Sequence, residues 1–96
     1  MKRSNDQPIK EAIDELLDSY HLKERVNEMR LKENWGKIFG KMISKYTSHL
    51  GVRNAKLFLT VESASLRQEL SFNKEKMIER INEFIAPGFI KEIVLR

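Results

Sequence analysis

The sequence predicts an α+β domain in which a three-stranded mixed sheet carries helices on one face. Two observations predict it. Apolar residues recur with a helical period through the first half of the chain, then switch to a period of two near Leu50. After that come two short strand-like runs, a helical stretch and a β-branched terminal run. A strand, a helical crossover and a further strand form a β-α-β unit whose strands run parallel. The element order is α-α-β-β-α-α-β, and helices on one side of such a sheet bury its apolar face.

The first helix is expected over about 7–19. Asn5 or Asp6 offers a cap, Pro8 suits a first turn, and Ile9, Ala12, Ile13, Leu16, Leu17 and Tyr20 recur at i, i+3 or i+4. Its outer face holds Asp6, Glu11, Asp14, Glu15 and Asp18 against Lys10, a net −4. Ser19-Tyr20-His21 reads as a joint. A second helix follows over about 22–46, through Val26, Met29, Leu31, Trp35, Ile38, Phe39, Met42, Ile43 and Tyr46, with a soft break near 27–32. From Lys23 to Lys45 it carries seven bases and three acids, so the two helical segments have opposite charge.

Leu50 and Val52, then Leu57, Leu59 and Val61, alternate with other residues around Asn54-Ala55, which reads as a hairpin. Asn tolerates a positive φ; Ala is a poorer second turn residue than Gly, so a looser turn is the alternative. Ser63 or Ser65 starts the next helix, and Ser65 with Gln68 fits a capping box. Ser71-Phe72-Asn73 is a break, with Asn73 placed to cap a helix through Met77, Ile78, Ile81, Phe84 and Ile85. Ala86-Pro87-Gly88 ends that helix, and 89–96 reads as a final strand.

The chain has 96 residues, the length of one domain with a single modest core. Within it, residues 1–21 read as an acidic helix with a flexible start and 22–96 as the folded domain. Lys and Arg exceed Asp and Glu by 18 to 14, a net +4 that permits contact with a polyanion without demanding it. Cysteine is absent, which excludes disulfides, thiolate metal sites and a Cys nucleophile. No apolar run approaches the roughly 18 residues of a membrane span, and no apolar stretch follows the basic start as a signal peptide requires. The expectation is a soluble, cytoplasmic protein.

Several blocks together resemble the DciA-like family: Trp35-Gly36-Lys37-Ile38-Phe39-Gly40; Tyr46-Thr47; the run from Leu57 through Ser63-Ala64-Ser65-Leu66-Arg67-Gln68-Glu69-Leu70; Ile81-Asn82-Glu83; and the terminal Ile90-Lys91-Glu92-Ile93-Val94-Leu95-Arg96. The resemblance covers about 22–96. It implies a K-homology-like domain, a role in bacterial DNA replication as a helicase loader or accessory, DNA binding, and the replicative helicase as a partner. A nucleic-acid-binding K-homology module places a Gly-x-x-Gly loop between its consecutive helices. The equivalent place here is Ser71-Phe72-Asn73-Lys74, without glycine.

Arg30, Lys37, Lys41 and Lys45 fall within roughly 80° of one another on an ideal helix. They read either as a stripe that contacts phosphates or as a solvated face. Near the helix–helix break, Lys74 and Lys76 are candidates to hold phosphates, with Arg80 nearby and Arg67 early in the preceding helix. Phe72 could stack a base there, but it reads first as closing the core, the usual place of phenylalanine. Trp35 reads as a core anchor, and Gly36 and Gly40 as a close approach of another backbone. His21 and His49 have no ligand-spaced partner, and Ser63, Ser65 and Ser71 have no neighbouring base. Neither a catalytic constellation nor a cofactor is expected. The function read from these features is a non-enzymatic replication accessory that binds DNA, single- or double-stranded, with low sequence preference. The alternative is a protein–protein adaptor without nucleic-acid binding. The edge strand leaves a homodimer through the sheet open.

Overall fold

The computed structural model describes residues 6–96, so the capping role read for Asn5 lies outside the described residues. The elements are α1 (Asp6–Phe39), α2 (Lys41–Tyr46), β1 (Thr47–Arg53), β2 (Lys56–Val61), α3 (Ala64–Ser71), α4 (Lys74–Phe84) and β3 (Glu92–Leu95). The order is the one expected, but the first two helices divide elsewhere.

Helix α1 runs unbroken for 34 residues. It has no joint at Ser19-Tyr20-His21 and no break at 27–32. The reason is compositional: no Gly or Pro occurs between Pro8 and Gly36, and strong helix formers fill the interval. The break falls at Gly40, whose φ of 92° and ψ of 168° lie in a region that only glycine occupies readily. A Cβ on Gly40 would meet nothing within 4 Å, so backbone conformation and not close packing requires glycine there. At Gly36 a Cβ would lie 3.6 Å from Ser44 Oγ on α2, so its close neighbour is a side chain and not another backbone.

The sheet order is β1-β2-β3. Strands β1 and β2 pair antiparallel, with Leu50 opposite Leu59 and Val52 opposite Leu57. Strands β2 and β3 pair parallel, with Leu57 beside Ile93 and Leu59 beside Leu95. Asn54 (φ 52°) and Ala55 (φ 63°) form the tight two-residue turn. Two carboxylates of α1 support it. Glu24 accepts from the backbone N–H groups of Asn54 (3.2 Å) and Ala55 (2.8 Å), and Glu28 accepts from that of Val52 (2.6 Å). A strand adding at the β1 edge would have to displace Glu28.

Leu57, Leu59 and Val61 are buried along one face of β2, where Leu50 and Ile93 join them. The helices cover that face with Leu31, Trp35 and Ile38 from α1, Leu70 from α3, and Met77 and Ile81 from α4. Trp35 is the anchor expected: its indole N–H donates to Thr47 Oγ1 at 3.1 Å, which in turn donates to the Ile43 carbonyl. Ser63, not Ser65, caps α3, accepting from the Leu66 N–H at 3.2 Å. Asn73 precedes α4 but its side-chain amide turns back to the Glu69 carbonyl. The final strand is shorter than expected because Phe89 and Ile90 are buried in the loop before it. Asn82 clamps that loop, exchanging two hydrogen bonds with the Ile90 backbone.

Candidate nucleic-acid interface

The break at Gly40 reshapes the basic stripe. Lys41 and Lys45 sit on α2, while Arg30 and Lys37 remain on α1, so the four do not share one helix axis. Arg30 Nη1 reaches the Ile85 carbonyl at 3.4 Å, where a cation suits the C-terminal end of α4. Lys37 is exposed on the last turn of α1. Lys41 and Lys45 are exposed and bracket Met42 and Ile43.

These two apolar residues form one wall of a groove of about 470 Å³. Phe39 continues that wall; Leu66, Leu70 and Met77 form the floor and far side. Lys76 and Arg80 stand on the far wall with Asn73, and Glu69 is the carboxylate among the lining residues. The groove therefore has an apolar floor and one basic wall, and Lys41 and Lys45 lie on α2 outside its lining. At its end the α3–α4 turn makes a second hollow of about 340 Å³, lined by Ser71, Phe72, Asn73, Lys74, Glu75 and Lys76.

Phe72 corrects the sequence reading. It does not close the core; it is 79% exposed. The reason is register. Leu70 and Met77 fill the inward positions on either side of the turn, and Phe72 at the C-cap of α3 points outward. An exposed aromatic ring flanked by lysines is suited to stack a base while phosphates meet the cations. Met42, equally conspicuous at 68% exposed, extends the apolar surface on the α2 side.

Arg67 stands apart from the groove. Its Nη1 donates to the Val61 carbonyl at 2.7 Å and to Arg96 O at 3.4 Å, tying the end of β2 to the end of β3. Arg80, grouped in the sequence with Lys74 and Lys76, stands in the groove wall. Its signal was the i+4 spacing from Lys76 on the same face of α4. The groove floor had no sequence signal, because Phe39, Met42 and Ile43 read as ordinary core positions of one long helix.

A family model described as Dna[CI] antecedent, DciA, matches residues 8–95. The chain belongs to the DciA family. No curated protein matches it. The DciA family is linked to DNA replication, and its members are accessory factors rather than known enzymes. Its association with the replicative helicase points to a protein partner. Among the described residues, no group of His, Asp or Glu is placed to hold a metal ion. No described helix is long and apolar enough to cross a membrane.

Proposed function

We propose that this DciA-family protein is a cytoplasmic, non-enzymatic replication accessory that grips DNA in the groove between α2 and the α3–α4 turn and engages the replicative helicase. Residues 22–96 are the binding domain, and 1–21 form an appended acidic segment. The observation that carries this reading is Phe72, exposed beside Lys74 and Lys76 in the hollow at the end of a groove whose α4 wall holds Lys76 and Arg80. Stacking and phosphate contacts carry no base-edge information, so affinity without sequence preference is the expectation. Single strands are favoured over duplex, since stacking on Phe72 needs an unpaired base.

Fluorescence anisotropy on single- and double-stranded oligonucleotides over a salt series tests it. Binding should weaken linearly in log–log form, and for single strands each phosphate contact contributes about 0.7 to the slope. The double variant Lys76→Ala, Arg80→Ala should lower the slope by about 1.4. No binding at low salt rejects the reading, and an unchanged slope rejects this groove as the site. Pull-down with the replicative helicase tests the second half. The adaptor reading is favoured by one specific observation, the glycine-free turn Ser71-Phe72-Asn73-Lys74. Helicase capture without any oligonucleotide binding would establish the adaptor instead.

A further inference from the structure

One face of α1 changes its surroundings partway along the helix. At 100° per residue, Ile9, Ile13, Leu16, Leu17 and Tyr20 lie on the same side as Leu31, Trp35 and Ile38. The latter three are buried against the sheet. The former five are each half or more exposed, with Leu16 at 68%. The helix is continuous between the two sets; Tyr20 still lies beside the loop at 86–89, and the stripe N-terminal to it is carried past the body on an arm that cannot fold back. The molecule is correspondingly elongated, 64 × 21 × 20 Å. Contiguous exposed apolar surface of this kind marks an interaction site.

Charge decides what covers it. Glu11, Asp14, Glu15 and Asp18 occupy the opposite face of the arm and Lys10 is the single base from Asp6 to His21. Nucleic acid and anionic lipid surfaces are excluded as occupants, because interfacial helices of membranes carry lysine and arginine on the polar face. The stripe needs another apolar stripe. A two-fold axis supplies one, since identical surfaces meet in an isologous pair.

We propose that two copies of this chain pair antiparallel through the arm stripes of α1. Ile9 of each copy lies near Tyr20 of the other, with Ile13, Leu16 and Leu17 at the centre. The acidic faces then point outward, about two helix diameters apart. That separation exceeds the Debye length of about 8 Å at physiological salt, so their repulsion is screened. The paired stripes bury on the order of 1,000 Å², the lower limit for a specific interface, so the dimer is weak and reversible. It does not use the β1 edge, where Glu28 already holds the Val52 N–H. It stands independently of the DNA-binding reading, and it would set two basic grooves on one particle.

Sedimentation equilibrium of the full chain tests it. The expected result is a weak, reversible monomer–dimer equilibrium, with dimer populated below about 1 mM. Leu16→Asp should weaken it at least a hundredfold while circular dichroism shows the helix content retained. The chain has no native cysteine, so single replacements report geometry directly. Leu16→Cys should cross-link between copies on mild oxidation, and Glu11→Cys on the opposite face should not. A monomer at every concentration to about 1 mM overturns the proposal, as does a dimer indifferent to Leu16→Asp or equal cross-linking by both cysteines. Capture of the helicase by the arm of a protein that stays monomeric also overturns it. An oligonucleotide titration in parallel separates this failure from that of the groove.

Discussion

The two ends of α1 carry one apolar face, interrupted by Leu22, Val26 and Met29, which are exposed on the other side although the sequence pattern had grouped Val26 and Met29 with Leu31, and the two ends meet different fates. From Leu31 to Ile38 the apolar stripe seals the core, with Leu31 wholly buried. From Ile9 to Tyr20 an equivalent stripe faces solvent. Periodicity therefore identifies which side of a helix needs cover, and only the tertiary arrangement decides what provides it. The comparison also separates residues that specify the fold from residues left over for a partner.

The sharpest way to break this comparison is to truncate one leucine in each half. Leu31→Ala should cost about 2–5 kcal/mol, lost transfer energy plus a cavity under Trp35 and the sheet. Leu16→Ala should change the stability of dilute protein by less than about 0.5 kcal/mol. Urea denaturation at low protein concentration measures both. Equal losses would mean that the arm is buried within its own chain.

A second variant tests the junction between α1 and the groove. Gly40→Ala should cost about 1–3 kcal/mol, because alanine has to adopt a φ of 92° with no compensating contact. If the chain relieves that strain by continuing α1 into α2, Met42 and Ile43 leave the groove wall that faces Lys76 and Arg80. Oligonucleotide affinity should then fall more than stability does. A neutral Gly40→Ala would show that the break is not imposed by the glycine.

Much of the fold was legible in the sequence, for definite reasons. The hairpin follows from alternation around Asn54-Ala55, and the helix after Ser63 from its cap. The core members Trp35, Leu57, Leu59, Met77 and Ile81 follow from period alone. What was illegible depended on conformation or on distance in the chain. A polar Ser-Tyr-His step looks like a joint, yet it contains nothing that opposes helix. Glycine at position 40 looks like a packing residue until its φ is known. Nothing in the sequence singles out Glu24 and Glu28, and only the fold brings them to backbone N–H groups 24 to 31 residues away. The candidate site was only partly legible: Lys74 and Lys76 line the hollow at the α3–α4 turn, Lys37, Lys41 and Lys45 are exposed outside the groove lining, and Arg30 and Arg67 bind carbonyls at element ends.

Those glutamates make the next test. Glu24→Gln leaves one carbonyl oxygen where two carboxylate oxygens accepted from Asn54 and Ala55. The loss should be about 1 kcal/mol, moderated by exposure of the Asn54 contact. Backbone amide exchange should rise at the turn and not in the α1 arm. Exchange that rises equally along the arm would show that the two halves of the helix are energetically coupled after all.

The smallest effect on stability should come from Phe72, and it sharpens the comparison at the site itself. Leu70 and Phe72 are two residues apart, one buried under the sheet and the other 79% exposed. Phe72→Ala removes almost no buried area, so the melting transition should move by less than the equivalent of about 0.5 kcal/mol. If the ring stacks on unpaired bases, the same change should weaken single-strand binding between about 5- and 150-fold, the range for loss of one base–aromatic stack of about 1–3 kcal/mol. Its salt slope should be unchanged, since no phosphate contact is lost. A change in slope without a change in single-strand preference would assign the binding to the lysines alone and leave the exposed ring to some other contact.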